Sequence, residues 1–163
     1  MKLKKGVLLD LLHRLNQLAD QEFRRHAGTV LTPRQYDVLA AVASAEDSNQ
    51  TQVAGRLGMD NSTMALMVER LVKGGLLNRW RDSKDGRAFV PSLTSTGRIA
   101  LETGEAAAGK AEEALLSNLT EQSRDELLAA LRSVAGEGPL PRRRRSQSAG
   151  EARKARGERS YVR

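Results

Sequence analysis

The sequence predicts a mainly α-helical chain interrupted once by a small two-stranded β-ribbon, and three observations predict it. Apolar residues recur at three- and four-residue steps through six separate stretches, most of them opened by a capping residue or closed by glycine. The period changes only between residues 76 and 93, where two short runs flank Asp85-Gly86, a strong hairpin signal. After Leu140 apolar residues almost vanish.

The first helix is expected from about residue 7 to 26, because Leu8, Leu11, Leu12, Leu15, Leu18, Ala19 and Phe23 fall on one stripe. That stripe needs a partner. Gly28 stops it, and Thr32-Pro33-Arg34-Gln35 supplies an N-cap, a proline at the first helical position and a capping-box glutamine. The second helix then carries Tyr36, Val38, Leu39 and Val42. After a short polar break, Asn49 can cap a brief third helix with Val53, Ala54 and Leu57, ended by Gly58. Asp60, Asn61 and Ser62 are all competent caps for the fourth helix, in which Met64, Met67, Val68, Leu71 and Val72 repeat up to Gly74-Gly75.

The ribbon follows, from Leu76 to Arg81 and from Arg87 to Leu93. Pro91 lacks an N–H, so its strand should be an edge. Trp80 and Phe89 are expected to pair across the ribbon in a packing role. Thr94 and Thr96 can cap a long helix over about 96–118, weakened by Gly104 and Gly109 at about 1 kcal/mol each relative to alanine. Thr120 opens a last helix with Leu127, Leu128, Leu131 and Val134. Beyond Pro139 the Arg-rich remainder should be disordered in isolation.

Composition narrows the function. The chain has 163 residues, enough for one domain with a core, or one domain plus a tail. Residues up to Leu140 hold 18 charges of each sign, while the 23 that follow hold 9 basic and 2 acidic ones, so the net +7 sits in the tail. With 3% aromatic residues the core must be built from Leu, Val and Ala. The absence of cysteine excludes disulfides, thiolate metal sites and thiol redox switching. Met1 to Lys5 is basic in the manner of a secretory leader, but Asp10, His13 and Arg14 interrupt the apolar stretch that a leader requires. No run of 18 apolar residues exists to span a membrane, and a cytoplasmic location is expected.

The informative unit is residues 49–93, a short helix, a glycine turn, a second helix and a hairpin with a basic tip. This is a winged helix-turn-helix. A helix fits the major groove, small polar residues in its first turn reach base edges, and its N-terminal N–H groups can receive a phosphate. Asn61, Ser62 and Thr63 occupy that turn and are the candidate base contacts. Arg70 and Lys73 later in the same helix, with Arg81, Lys84 and Arg87 on the ribbon, are the candidate phosphate or minor-groove contacts. Residues 50–98 hold eight Lys+Arg against four acids, so the neutral body conceals a basic module.

Order and spacing of the motifs resemble the MarR (multiple antibiotic resistance regulator) family over roughly residues 7–135. The resemblance rests on Leu31-Thr-Pro-Arg-Gln-Tyr-Asp-Val-Leu39, Gln52-Val-Ala-Gly-Arg-Leu-Gly-Met-Asp-Asn-Ser-Thr-Met64, Val68-Glu-Arg-Leu-Val-Lys-Gly-Gly-Leu-Leu77, Arg81-Asp-Ser-Lys-Asp-Gly-Arg87 and Leu93-Thr-Ser-Thr-Gly-Arg98. It implies a cytoplasmic, nucleoid-associated homodimer with intertwined first, fifth and sixth helices, the fourth helix in the major groove and the wing arginine in the minor groove. It further implies repression of nearby genes and release by a small aromatic acid. The implied division is a helical dimerisation region at 1–30 and 95–138 and a winged helix-turn-helix domain at 31–94, while the disordered tail at 139–163, read from composition, has no counterpart in the family pattern. The chain departs from the family at Ala65-Leu66-Met67, where an arginine or polar residue is common, at Gly86, where the wing lacks one arginine, and at Pro91.

Other residues carry less. His13, Gln17 and Tyr36 are candidate walls of a ligand pocket, to which Arg24 and Arg25 could add a cation for a carboxylate. A lone histidine without spaced partners is not expected to hold a metal. No cofactor is expected, and no constellation for catalysis is present, so an enzyme is not expected. Two-fold symmetry predicts a pseudo-palindromic double-stranded DNA operator with half-sites about one helical turn apart. Two alternatives stay open: a winged helix that docks a protein through Leu66 and Met67, or a non-specific DNA binder driven by the tail. The tail itself reads as a DNA-backbone arm, a polyanion tether or a solvated end.

Overall fold

Among the described residues, six helices and an antiparallel ribbon follow one another as α1 (Val7–Ala27), α2 (Pro33–Ala43), α3 (Gln50–Arg56), α4 (Asn61–Lys73), β1 (Leu77–Arg81), β2 (Phe89–Leu93), α5 (Ser95–Leu116) and α6 (Glu121–Ala135). They are seen in a computed structural model that describes residues 6–44, 47–81 and 88–136. The hairpin tip and the Arg-rich tail lie outside the described residues.

Helix starts follow local hydrogen bonding. The Thr32 hydroxyl accepts from the Gln35 N–H, and the Gln35 side chain accepts from the Thr32 N–H at 2.9 Å. Asn49 and Gln52 repeat this reciprocal pattern at α3. Of the three competent caps before α4, Asp60 takes the position, its carboxylate accepting from the Ser62 and Thr63 N–H groups at 3.1 and 3.0 Å. Thr94, not Thr96, caps α5, and Thr120 caps α6.

Apolar faces meet in one cluster. Val38, Leu39 and Val42 of α2 pack with Val53 and Ala54 of α3, with Met64, Val68 and Leu71 of α4, and with Leu77 at the start of the ribbon. Phe23 and Ala27 near the end of α1 join Ala100, Leu101, Ala107 and Ala111 of α5 in the same cluster. The rest of the α1 stripe is not covered: Leu8 is 55% exposed, and Leu11, Leu12, Leu15 and Leu18 are exposed with it. α6 buries no residue. Among the described residues no helix is long and apolar enough to cross a membrane.

Two expectations require correction. Trp80 and Phe89 do not pair, because the register sets Trp80 opposite Val90 and Arg81 opposite Phe89. Alternate strand residues face opposite ways, so Phe89 lies on the arginine side, with the Arg79 and Arg81 guanidinium groups 4.7 and 5.4 Å from its ring centroid. Trp80 is left 50% exposed. The second correction concerns Gly104, which is not simply a weak point of α5. It is buried against Tyr36, whose ring in turn packs on Phe23 with centroids 5.3 Å apart and planes tilted by 37°. Gly109 alone of the pair faces open space.

Candidate nucleic-acid interface

The turn between α3 and α4 is built by Gly58, whose φ of +60° is open to glycine at no steric cost. Buried Met59 follows, its N–H bonded to the Ala54 carbonyl at 2.9 Å, which anchors the turn to α3. Met64, Val68 and Leu71 then hold one face of α4 in the core. The opposite face is fixed by helical period, and Ser62, Leu66, Arg70 and Lys73 stand on it, all exposed.

The ribbon is tied to the end of this helix. The Thr94 hydroxyl donates toward the Gly75 carbonyl at 2.7 Å and accepts from the Gly97 N–H at 2.9 Å. The Thr94 N–H bonds to the Leu76 carbonyl at 3.1 Å. Gly97 is obligatory here, because an added Cβ would stand 2.0 Å from the Leu76 oxygen. One threonine and one glycine thus fix α4, the ribbon and α5 relative to one another.

The sequence-predicted residues divide as follows. Asn61 and Ser62 are exposed in the first turn of α4. Thr63 is exposed too, but its hydroxyl donates to the Asp60 carboxylate at 2.7 Å and is thereby occupied in capping. Arg70 is exposed and makes no ion pair among the described residues. Lys73 is bridged to Glu69 at 2.8 Å, and that hydrogen bond and charge hold the Glu69 carboxyl below its ordinary pKa. Arg81 extends from β1 on the same side as Arg79, while Lys84 and Arg87 lie outside the described residues.

His13, Gln17 and Tyr36 line neither the cavity between α1 and α2 nor the one at the base of the ribbon. His13 and Gln17 are exposed on α1, and Tyr36 is half-buried, its hydroxyl pKa raised by burial and then by the nearby charges of Glu105, Asp37 and Glu112. Arg25 is paired with Glu22 at 3.2 Å. A cavity of about 490 Å³ between α1 and α2 is lined instead by Asn16, Asp20, Arg24, Thr32, Pro33, Arg34 and Asp37. Another, of about 310 Å³, lies at the base of the ribbon against Val42, Ala43, Asp47, Trp80, Val90, Pro91, Ser92, Leu93 and Arg98.

Arg79 and Arg98 were not singled out in the sequence, and Leu66 was named there only as a departure from the family and a docking contact. Arg79 could have been found from its two-residue spacing to Arg81. Leu66 could have been placed outward from its four-residue spacing to Ser62 and Arg70. No sequence signal joins Arg98 to Trp80, which are brought together only by the packing of α5 on the ribbon.

Residues 31–89 match the family model described as "MarR family". The chain is 32% identical over 105 residues to the HTH-type transcriptional repressor MdtR of Bacillus subtilis, a match spanning 64% of this chain and 66% of that protein. The structure of the transcriptional repressor CouR bound to a 23-mer DNA duplex superposes with a TM-score of 0.73 at 30% identity, covering 83% of this chain and 100% of that one. The PcaV transcriptional regulator from Streptomyces coelicolor, solved with its natural ligand, gives 0.74 at 28% identity over 83% of this chain and 97% of that one.

Proposed function

The chain belongs to the MarR family of DNA-binding transcription regulators, which are not enzymes, and from that premise we propose that it is a homodimeric repressor of a pseudo-palindromic operator. The observation that carries this reading is the outward face of α4, where Ser62, Arg70 and Lys73 stand beside a ribbon bearing Arg79 and Arg81. Phosphate contacts from these cations supply affinity, and Asn61 and Ser62, with Thr63 in a capping role beside them, read base edges. Lys84 and Arg87 complete the wing contact. Residues 1–30 and 95–138 form the dimerisation region, residues 31–94 the reading head, and residues 139–163 a backbone-binding arm in the nucleoid.

The bare leucines of α1 and the uncovered α6 support dimerisation, since apolar stripes of this length are seldom left to water. Release by a small ligand is supported by the PcaV regulator, solved with its natural ligand, and an acid would suit Arg24 at the cavity between α1 and α2, where Arg34 is paired with Asp37.

The test is fluorescence anisotropy at fixed salt with a duplex from the gene's own upstream region and a scrambled control. Full-length protein and protein ended at Leu140 should both prefer the upstream duplex by about a hundredfold or more. Arg87→Ala should weaken that binding and leave the melting temperature unchanged. Equal binding to both duplexes by the full chain, lost on truncation, would assign the affinity to the tail. A protein-docking reading is favoured by one observation, the outward Leu66, and gains if neither form binds DNA.

A further inference from the structure

We propose that Leu66 reads a thymine methyl group in the major groove, so that the operator half-site requires thymine at the base facing the middle of α4. The assignment rests on the DNA-binding reading above and goes beyond it by naming a base.

Met64, Val68 and Leu71 turn inward, and Leu66 on the opposite face is 57% exposed. One helical turn before it stands Ser62, and one turn after it Arg70, both exposed, with Lys73 beyond. An isolated apolar side chain is thus presented from the centre of a polar, charged face, on which Lys73 is bridged to Glu69 and Arg70 makes no ion pair among the described residues. A protein groove would call for exposed apolar neighbours, and among the described residues of α4 Leu66 is the one large apolar side chain that is exposed, Met67 being partly buried against the core. A nucleic acid suits both parts of the pattern: phosphates meet the cations, and the major groove offers one apolar group, the C5-methyl of thymine. The ribbon, held to the end of α4 through Thr94, limits how the helix can roll in the groove and keeps Leu66 directed at the base edges.

The experiment begins with the tightest duplex that the full-length protein selects from a randomised pool. Thymines in that duplex are replaced by uracil, which lacks only the methyl, at one symmetry-related pair of positions at a time, and binding is read by anisotropy for wild type and Leu66→Ala. Wild type is expected to lose about fourfold per half-site at one pair, the free energy of burying one methyl-sized group expressed as a ratio. Leu66→Ala is expected to lose nothing at that pair. Because Leu66 is exposed, the variant should melt as wild type does, and the wild-type profile stands without it. Equal losses for both proteins, or no uracil sensitivity in wild type, overturn the assignment. Failure to select any sequence overturns the regulator reading itself, and the assignment falls with it.

Discussion

At Gly104 the Tyr36 ring lies where a side chain would begin: a Cβ there meets Tyr36 Cδ2 at 2.5 Å and Leu31 Cδ1 at 3.3 Å. Gly109, five residues on and in the same helix, meets nothing within 4 Å. Alanine improves helix propensity equally at both, by about 1 kcal/mol, so the difference between them is packing alone. Gly104→Ala is expected to lower stability by about 1–3 kcal/mol through overpacking, and Gly109→Ala to raise it by about 1 kcal/mol. Thermal melting of the two variants checks this, and shifts of the same sign would refute the role given to Tyr36. Neither glycine could be distinguished in the sequence, where both fall in one Ala- and Glu-rich helix. Helical spacing does not say which turn of α5 meets α2.

The element on which the interface depends is α4, and its start is set by Asp60. That residue keeps an extended backbone, with φ −74° and ψ 153°, and its carboxylate serves two N–H groups and the Thr63 hydroxyl. A carboxylate at a helix N-terminus also opposes the partial positive charge there. Asp60→Ala should therefore cost about 1 kcal/mol, read as a lower urea midpoint with an unchanged slope. An unchanged midpoint would mean that packing of Met64 and Val68 alone fixes the start of α4. The sequence offered Asp60, Asn61 and Ser62 as equivalent caps. The choice follows from where the chain leaves the Gly58 turn, because Met59 must reach the core and the next residue is then extended. The ribbon pairing was misread for a related reason. Its register decides which face each side chain takes, and a shift of one residue moves every side chain to the other face.

At the scale of the whole molecule, the protein carries two kinds of surface. The core joins the head to α5 and to the end of α1, while the first half of α1 and all of α6 keep their leucines outside it. Leu12→Glu places a charge on the exposed stripe, at a residue outside the core cluster. It is expected to give a folded monomer by sedimentation and to lose about a hundredfold or more in operator affinity, since one head binds without the second's effective concentration. A dimer that persists with full affinity would remove the α1 stripe from the interface.

Local sequence sufficed for the order and type of the eight described elements, most of the capping signals, the apolar stripe of the first helix and the basic module between residues 50 and 98. These follow from local rules, namely periodicity, hydrogen bonding within a turn and charge, which act between residues close in the chain. Tertiary structure alone decided that Asp60 is the cap, that Gly97 and Gly104 are contact points and that Phe89 lies under arginines. It also decided that Trp80 and Arg98 share a cavity. Each of these depends on the distance between atoms far apart in sequence, and such distances exist only once the elements have packed.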